Sequence, residues 1–190
     1  MELIFGTHNS NKVKEISKLL PLNFSVKSLT DLNYNSEIEE SGLTLEENAL
    51  IKAKTVFNTF KQNCFADDSG LEIFALGGKP GVYSARYAGS QKNAKDNTNK
   101  ILHELEGIDD RQAQFRTVIT LIFNGTEYLF EGIIKGEISI TPMGNNGFGY
   151  DPIFIPENHN VTFAQLTLSE KNKISHRSRA FQKLIEFLKS

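Results

Sequence analysis

Asp67 and Asp68 stand side by side after a short apolar run, Cys64-Phe65-Ala66, and just ahead of Ser69 and Gly70. Carboxylates fixed at the end of a buried strand suit a divalent metal. A hard cation such as Mg²⁺ takes oxygen ligands, commonly one or two carboxylates completed by water and substrate phosphates. Taken alone, the same four residues also describe a solvated turn. A second cluster, Gly6-Thr7-His8-Asn9-Ser10-Asn11-Lys12, has phosphate-binding chemistry, because a helix amino terminus exposes backbone N–H groups and partial positive charge. Thr7 and Asn9 can add hydrogen bonds there, His8 is a further candidate ligand, and Lys12 adds a full charge. The segment lacks the GxxxxGK[ST] pattern of a Walker loop, and Asn and Ser ahead of a helix also serve as simple caps.

Three more groups have types suited to an anionic, flat ligand. Glu39 and Glu40 precede a helix carrying Asn48 and Lys52 at i and i+4, hence on one face, with Lys52 turned either to solvent or to a phosphate. Arg86 lies between Tyr83 and Tyr87, where a guanidinium stacks on a ring or reaches an anion. The run from Gly144 to Pro152 surrounds Phe148 and Tyr150 with glycines and asparagines, so either backbone approaches a planar ligand while a ring stacks on it, or the two aromatics simply anchor a loop to the core. Finally, Glu170 to Arg177 opens the last helix with Lys171, Lys173, His176 and Arg177. Positive charge in a first helical turn is electrostatically disfavoured, which suits a ligand, although exposed basic residues are also common there without one.

The elements that must position these groups follow from periodicity. Leu3–Phe5 reads as a first strand, and Val13, Ile16, Leu19 and Leu20 recur on one helical face. Phe24–Leu29 alternates as a second strand. Thr44–Phe60 is the clearest helix, with Thr44 and Glu47 forming a capping box and Ala49, Ala53, Val56, Phe57 and Phe60 an apolar face. Asn93–Leu105 is another helix. Phe115–Phe123 and Glu127–Ile134 flank Asn124-Gly125, a strong hairpin signal. Ala180, Phe181, Leu184 and Leu188 form the inward stripe of a final helix. Strand and helix patterns alternate around one hairpin, so the expected architecture is α/β, a mixed twisted sheet flanked by helices.

With 190 residues and 39% hydrophobic content, the chain suffices for one domain, or two closely joined lobes, with a sizeable core. Its 21 basic and 23 acidic side chains nearly cancel, which excludes the broad positive field of a general nucleic-acid binder. Cys64, the sole cysteine, excludes an intrachain disulfide and a multi-cysteine zinc site, and makes a reduced compartment the simplest reading. No apolar run approaches membrane-spanning length, and the amino terminus lacks a signal-peptide core. The expectation is a soluble, cytoplasmic protein.

Six ordered blocks make the chain resemble the inosine triphosphate pyrophosphatase family over nearly its whole length: THNSNK (7–12), EESGLTLEENALIKA (39–53), ADDSGLEI (66–73), LGGKPGVYSARYAG (76–89), GFGYDPIF (147–154) and SEKNKISHRSRA (169–180). The resemblance implies one pyrophosphatase domain over residues 1–190, built as two lobes with a central cleft and working as a homodimer. It implies hydrolysis of non-standard purine nucleoside triphosphates (ITP, dITP, XTP) to the monophosphate and pyrophosphate. By the same resemblance, Thr7, His8, Asn9, Ser10, Asn11 and Lys12 form a triphosphate loop, with Lys52 as a further phosphate lysine. Glu40 and Asp68 match Mg²⁺-binding acids, Asp68 also the proton acceptor, and Ser69 a substrate contact. Phe148, Gly149, Tyr150, Asp151, Lys171, His176 and Arg177 match the nucleoside-binding set, and Arg86 takes a phosphate role. His8 departs from the small residue common at its position, and Leu45 from a common Phe. Two other functions compete: a pyrophosphatase for pyrimidine or modified nucleotides, and a nucleotide-binding sensor without turnover. Intact Asp68, Glu40 and Lys12 argue against the sensor.

Overall fold

The computed structural model describes residues 1–189. Among them the strands are β1 (Glu2–Phe5), β2 (Ser25–Ser28), β3 (Cys64–Ile73), β4 (Lys79–Pro80), β5 (Gln112–Phe123), β6 (Thr126–Ile138) and β7 (Phe154–Pro156). The α-helices are α1 (Ser10–Ser17), α2 (Leu45–Phe60), α3 (Ala94–Glu104), α4 (Leu168–Ile174) and α5 (His176–Lys189). The strands form one sheet in the order β2-β1-β3-β5-β6-β7, with β4 paired to β3. β1 runs parallel to both β2 and β3, whereas β4 is antiparallel to β3 and β7 to β6. The sheet is therefore mixed, as expected of an α/β chain. Parallel neighbours need a crossover, and α1 and α2 lie on those connections.

Local chemistry sets the boundaries. Thr44 Oγ1 accepts the Glu47 N–H at 3.2 Å, and the Glu47 carboxylate accepts the Thr44 N–H at 3.2 Å, so α2 begins with the expected capping box. Asn124 and Gly125 take φ values of 51° and 81°, both in the left-handed region that a two-residue hairpin turn requires.

Two compact units divide the chain. The first comprises Met1–Asp68, Thr117–Gly132 and the tail from Arg177; the second comprises Ser69–Arg116 and Ile133–His176. In the first unit, strand alternation sends Leu3, Phe5 and Phe65 to one face, against Ile16 of α1 and Phe181 and Leu184 of α5. Phe5 and Phe65 stack with ring centroids 4.5 Å apart. Ile4, Cys64 and Ala66 go to the other face, against Ala53 and Val56 of α2. In the second unit, Leu71, Ile73, Ile101, Phe115, Ile138, Phe154 and Phe163 build a separate core.

Three expectations need correction. β3 does not end at Asp67 and Asp68 but runs through them to Ile73, because Leu71 and Ile73 continue the buried alternation in the second unit. The first helix stops at Ser17; Leu19 and Leu20 pack on the core from beyond it. The tail forms two helices rather than one, since Ser175 takes an extended conformation (ψ 154°) and Thr167 with Glu170 caps a separate α4. Lys171 and Lys173 thus lie in the last turn of α4, where positive charge is favoured, and only His176 and Arg177 open α5.

Candidate functional site

Alternation along β3 decides what the adjacent acids do. Asp67 shares the face of Phe65, toward α1 and α5; Asp68 shares that of Ala66, toward α2. Asp67 is 2% exposed and accepts from Lys12 Nζ at 2.8 Å and from Arg177 Nε at 3.3 Å. Arg177 in turn pairs with Glu15 of α1. Burial alone would raise the Asp67 pKa, but Lys12 and Arg177 overcome it and hold the carboxyl well below its ordinary range. Lys12 is pushed down, first by burial and then by the neighbouring charges of Lys52 and Arg177, against the pull of Asp67. With two cations already on it, Asp67 is a buried counter-ion. The two adjacent acids thus face different partners and do not form one site together.

On the α2 face, Lys52 Nζ bonds Asp68 Oδ1 at 3.1 Å and pairs with Glu40. Asn48, one turn earlier on α2, donates from Nδ2 to Asp68 Oδ2 at 3.3 Å and accepts the Gly42 N–H at 2.8 Å. Burial raises the Asp68 pKa, with Lys52 pulling the other way. For Lys52 burial is outweighed by Asp68 and Glu40, so its pKa is raised. Glu40 and Asp68 thus converge on a single cation. No group of three or more His, Cys, Asp or Glu side chains placed to hold a metal occurs among the described residues. Mg²⁺ needs only one or two carboxylates when water and phosphate oxygens complete its shell, so this oxygen pair fits it.

The loop before α1 is more fully capped than its sequence suggested. Asn9 Oδ1 accepts the N–H groups of Asn11 and Lys12, at 3.0 and 3.3 Å, and Thr7 Oγ1 accepts that of Asn9 at 3.1 Å. Thr7 is buried; Asn9, Ser10 and Asn11 are exposed. His8 is exposed as well, 3.1 Å from the Ser36 carbonyl and ranged alongside Tyr34.

The second unit gathers the aromatic candidates. Lys171 Nζ bonds Asp151 Oδ2 at 2.6 Å, both side chains being 3% exposed, and Asp151 also accepts the Phe148 N–H at 2.9 Å. The same ammonium lies 5.0 Å from the Phe148 ring centroid and 5.4 Å from that of Phe163. Gly147 has φ 75°, and a Cβ there would strike the Asp151 carboxylate, so the loop closes on Asp151 only with glycine at that point. Tyr150 donates to the Ser84 carbonyl at 2.7 Å, tying the Gly149 loop to the turn that carries Arg86. Arg86 stacks on Tyr83 at 5.3 Å, one of the two arrangements its sequence allowed. His176 lies flat on Phe115, centroids 4.6 Å apart, and Ser69 is half-buried in β3.

Of the candidate residues, the structure gathers Lys12, Glu40, Lys52, Asp68 and Arg177 in the first unit, and Phe148, Asp151 and Lys171 in the second. Sequence reasoning missed Glu15, whose signal was an acid beside Ile16 on the inward face of α1, and it gave Asn48 no partner.

A model of the Ham1 family matches residues 3–187. The chain belongs to the Ham1 family. This bears out the resemblance carried by the six sequence blocks. A dITP/XTP pyrophosphatase of Flavobacterium johnsoniae is 54% identical over 188 residues, covering 99% of this chain and 98% of that protein. A dITP/XTP pyrophosphatase of Christiangramia forsetii is 52% identical, covering 99% of each. The solved structure of a HAM1 protein from Coxiella burnetii superimposes with a TM-score of 0.90 at 40% identity, covering 100% of this chain and 98% of that one. As in the sequence reading, no helix of this Ham1-family chain, among the described residues, is long and apolar enough to cross a membrane.

Proposed function

We propose that this chain is a nucleoside triphosphate pyrophosphatase that hydrolyses dITP, ITP and XTP to the monophosphate and pyrophosphate, clearing them from the nucleotide pool. The observation that carries this reading is the full-length identity to dITP/XTP pyrophosphatases, 54% in the first of them. Residues 1–190 act as one catalytic domain whose lobes enclose a cleft, within a cytoplasmic homodimer. The triphosphate is met by Lys12 and Lys52, with Thr7 to Asn11 and Arg86 around it. Glu40 and Asp68 would hold Mg²⁺, which would supply charge neutralisation for the triphosphate. Asp68 accepts a proton from water as its oxygen bonds the α-phosphorus, and the bond to the β-phosphate bridging oxygen breaks, releasing pyrophosphate. Phe148 stacks on the base within a pocket of Gly149, Tyr150, Asp151 and Lys171, and Ser69 contacts the substrate.

Base choice follows from hydrogen-bond polarity. Arg177 and His176 donate to a 6-keto oxygen, whereas adenine presents a 6-amino donor. Donor against donor leaves buried groups unpaired, about 1–3 kcal/mol each, or roughly 5- to 150-fold in rate. Arg177→Ala is accordingly expected to lower kcat/KM for ITP and XTP by that factor while changing residual ATP use less; equal losses on all three would show that Arg177 does not read the base. The function itself is tested by pyrophosphate release across ITP, XTP, dITP, GTP, ATP and dUTP, with and without Mg²⁺. Preferential release from dITP, ITP and XTP is expected. Binding without release would make the protein a sensor, and preference for dUTP a pyrimidine enzyme.

A further inference from the structure

Asn48 is fully buried, at 0% exposure, and both ends of its carboxamide are engaged. The Gly42 N–H can be met only by its oxygen, so the NH₂ group necessarily turns to Asp68, where an acceptor waits. Asn48 and Lys52, four residues apart on α2, therefore take one oxygen each of the Asp68 carboxylate, Oδ2 and Oδ1. Lys52 also holds Glu40, two residues ahead of Gly42, and the contacts close into a ring: Glu40, Lys52, Asp68, Asn48, Gly42. The ring needs glycine at its tightest point, since a Cβ on Gly42 would sit 2.6 Å from Glu47 Cβ and 2.7 Å from Asn48 Oδ1.

We propose that Asn48 is a positioning residue for hydrolysis, fixing the rotation of the Asp68 carboxylate and tying it to the loop that carries Glu40. The proposal rests on the reading of Asp68 as acceptor of the water proton. A carboxylate pinned at both oxygens presents its remaining lone pairs in one direction only. One free to turn about its side-chain bonds does not, and misplacement by about 1 Å costs on the order of 100-fold in rate. Other residue types do not reproduce both contacts. Aspartate keeps the acceptor for Gly42 but opposes one carboxylate to another, and leucine fills similar space with neither contact.

The test uses the full chain with dITP, measuring kcat, KM, dITP affinity by calorimetry, and the thermal midpoint, for Asn48→Asp and Asn48→Leu. Loss of a partner that orients a site acid typically costs about 10–100-fold, and that fall is expected in kcat, with KM and dITP affinity held. Asn48→Asp preserves the loop contact, so it reports on Asp68 even where Asn48→Leu does not fold. In an Asp68→Asn background, Asn48→Asp is expected to cost nothing further, because both changes act through one group. Wild-type kcat in folded Asn48→Asp, or an undiminished extra loss in the Asp68→Asn background, overturns the role of Asn48. Full activity of Asp68→Asn alone overturns instead the reading beneath it, and the proposal with it.

Discussion

Asp68→Asn is expected to lower kcat for dITP by about 10²–10⁴-fold, the range for loss of a positioned general base, while nucleotide binding stays measurable. The substitution keeps the shape of the side chain but only one acceptor oxygen, for Lys52 or for Asn48 and not both, so charge, basicity and one of the two contacts change together. Burial raises the pKa of the Asp68 carboxyl, with Lys52 pulling the other way. Steady-state rates together with equilibrium titration of dITP separate the two effects. A variant that turns over at the wild-type rate would remove Asp68 from the mechanism.

The neighbouring substitution, Asp67→Asn, is expected to act on stability. Asp67 faces Lys12 and Arg177, with side chains 15% and 3% exposed, so neutralising it removes the charge between two poorly hydrated cations, of which Arg177 keeps Glu15. Breaking a buried pair from one side costs about 3–5 kcal/mol, which for a chain of this size is a drop of roughly 6–20 °C in thermal midpoint. The pH dependence follows from the depressed carboxyl. In the unfolded chain Asp67 titrates near 3.8, and in the folded protein lower, so its contribution is complete above that value and is lost as the pH falls below it. The difference in midpoint between wild type and Asp67→Asn should therefore be widest near neutrality and shrink below about pH 4. A gap that is small at pH 7, or constant on acidification, would show that the Lys12–Asp67–Arg177 contacts add little net stability.

Much of this was legible in the chain because it is encoded locally. The Thr44 and Glu47 box, the Asn124-Gly125 turn and the apolar periodicity of α2 each involve a few consecutive residues, and each stands where the sequence put it. The break at Ser175 was not legible, because a helical pattern on either side masks one extended residue, and the cap that begins α4 is Thr167, ahead of the basic run from Glu170 to Arg177. Asp67 and Asp68 show the same limit at the site. Side by side in sequence they read as one pair, and only the continuation of β3 into the second unit's core reveals that they belong to different faces. The Asn48 contacts join residues 42, 48 and 68, so no short window contained them.

Parity along β3 makes the protein intolerant of one kind of change that leaves every side chain intact. A single residue inserted among Cys64, Phe65 and Ala66 would turn Asp67 toward Lys52 and send Asp68 toward Arg177, exchanging the partners of the two acids while every existing side chain stays in the chain. Such an indel should be far more damaging than a longer one at the Asn124-Gly125 tip, where no face is assigned. Engineers recombining segments of related chains should accordingly place their crossovers at that tip and keep the stretch from β3 onset to Gly70 in one piece.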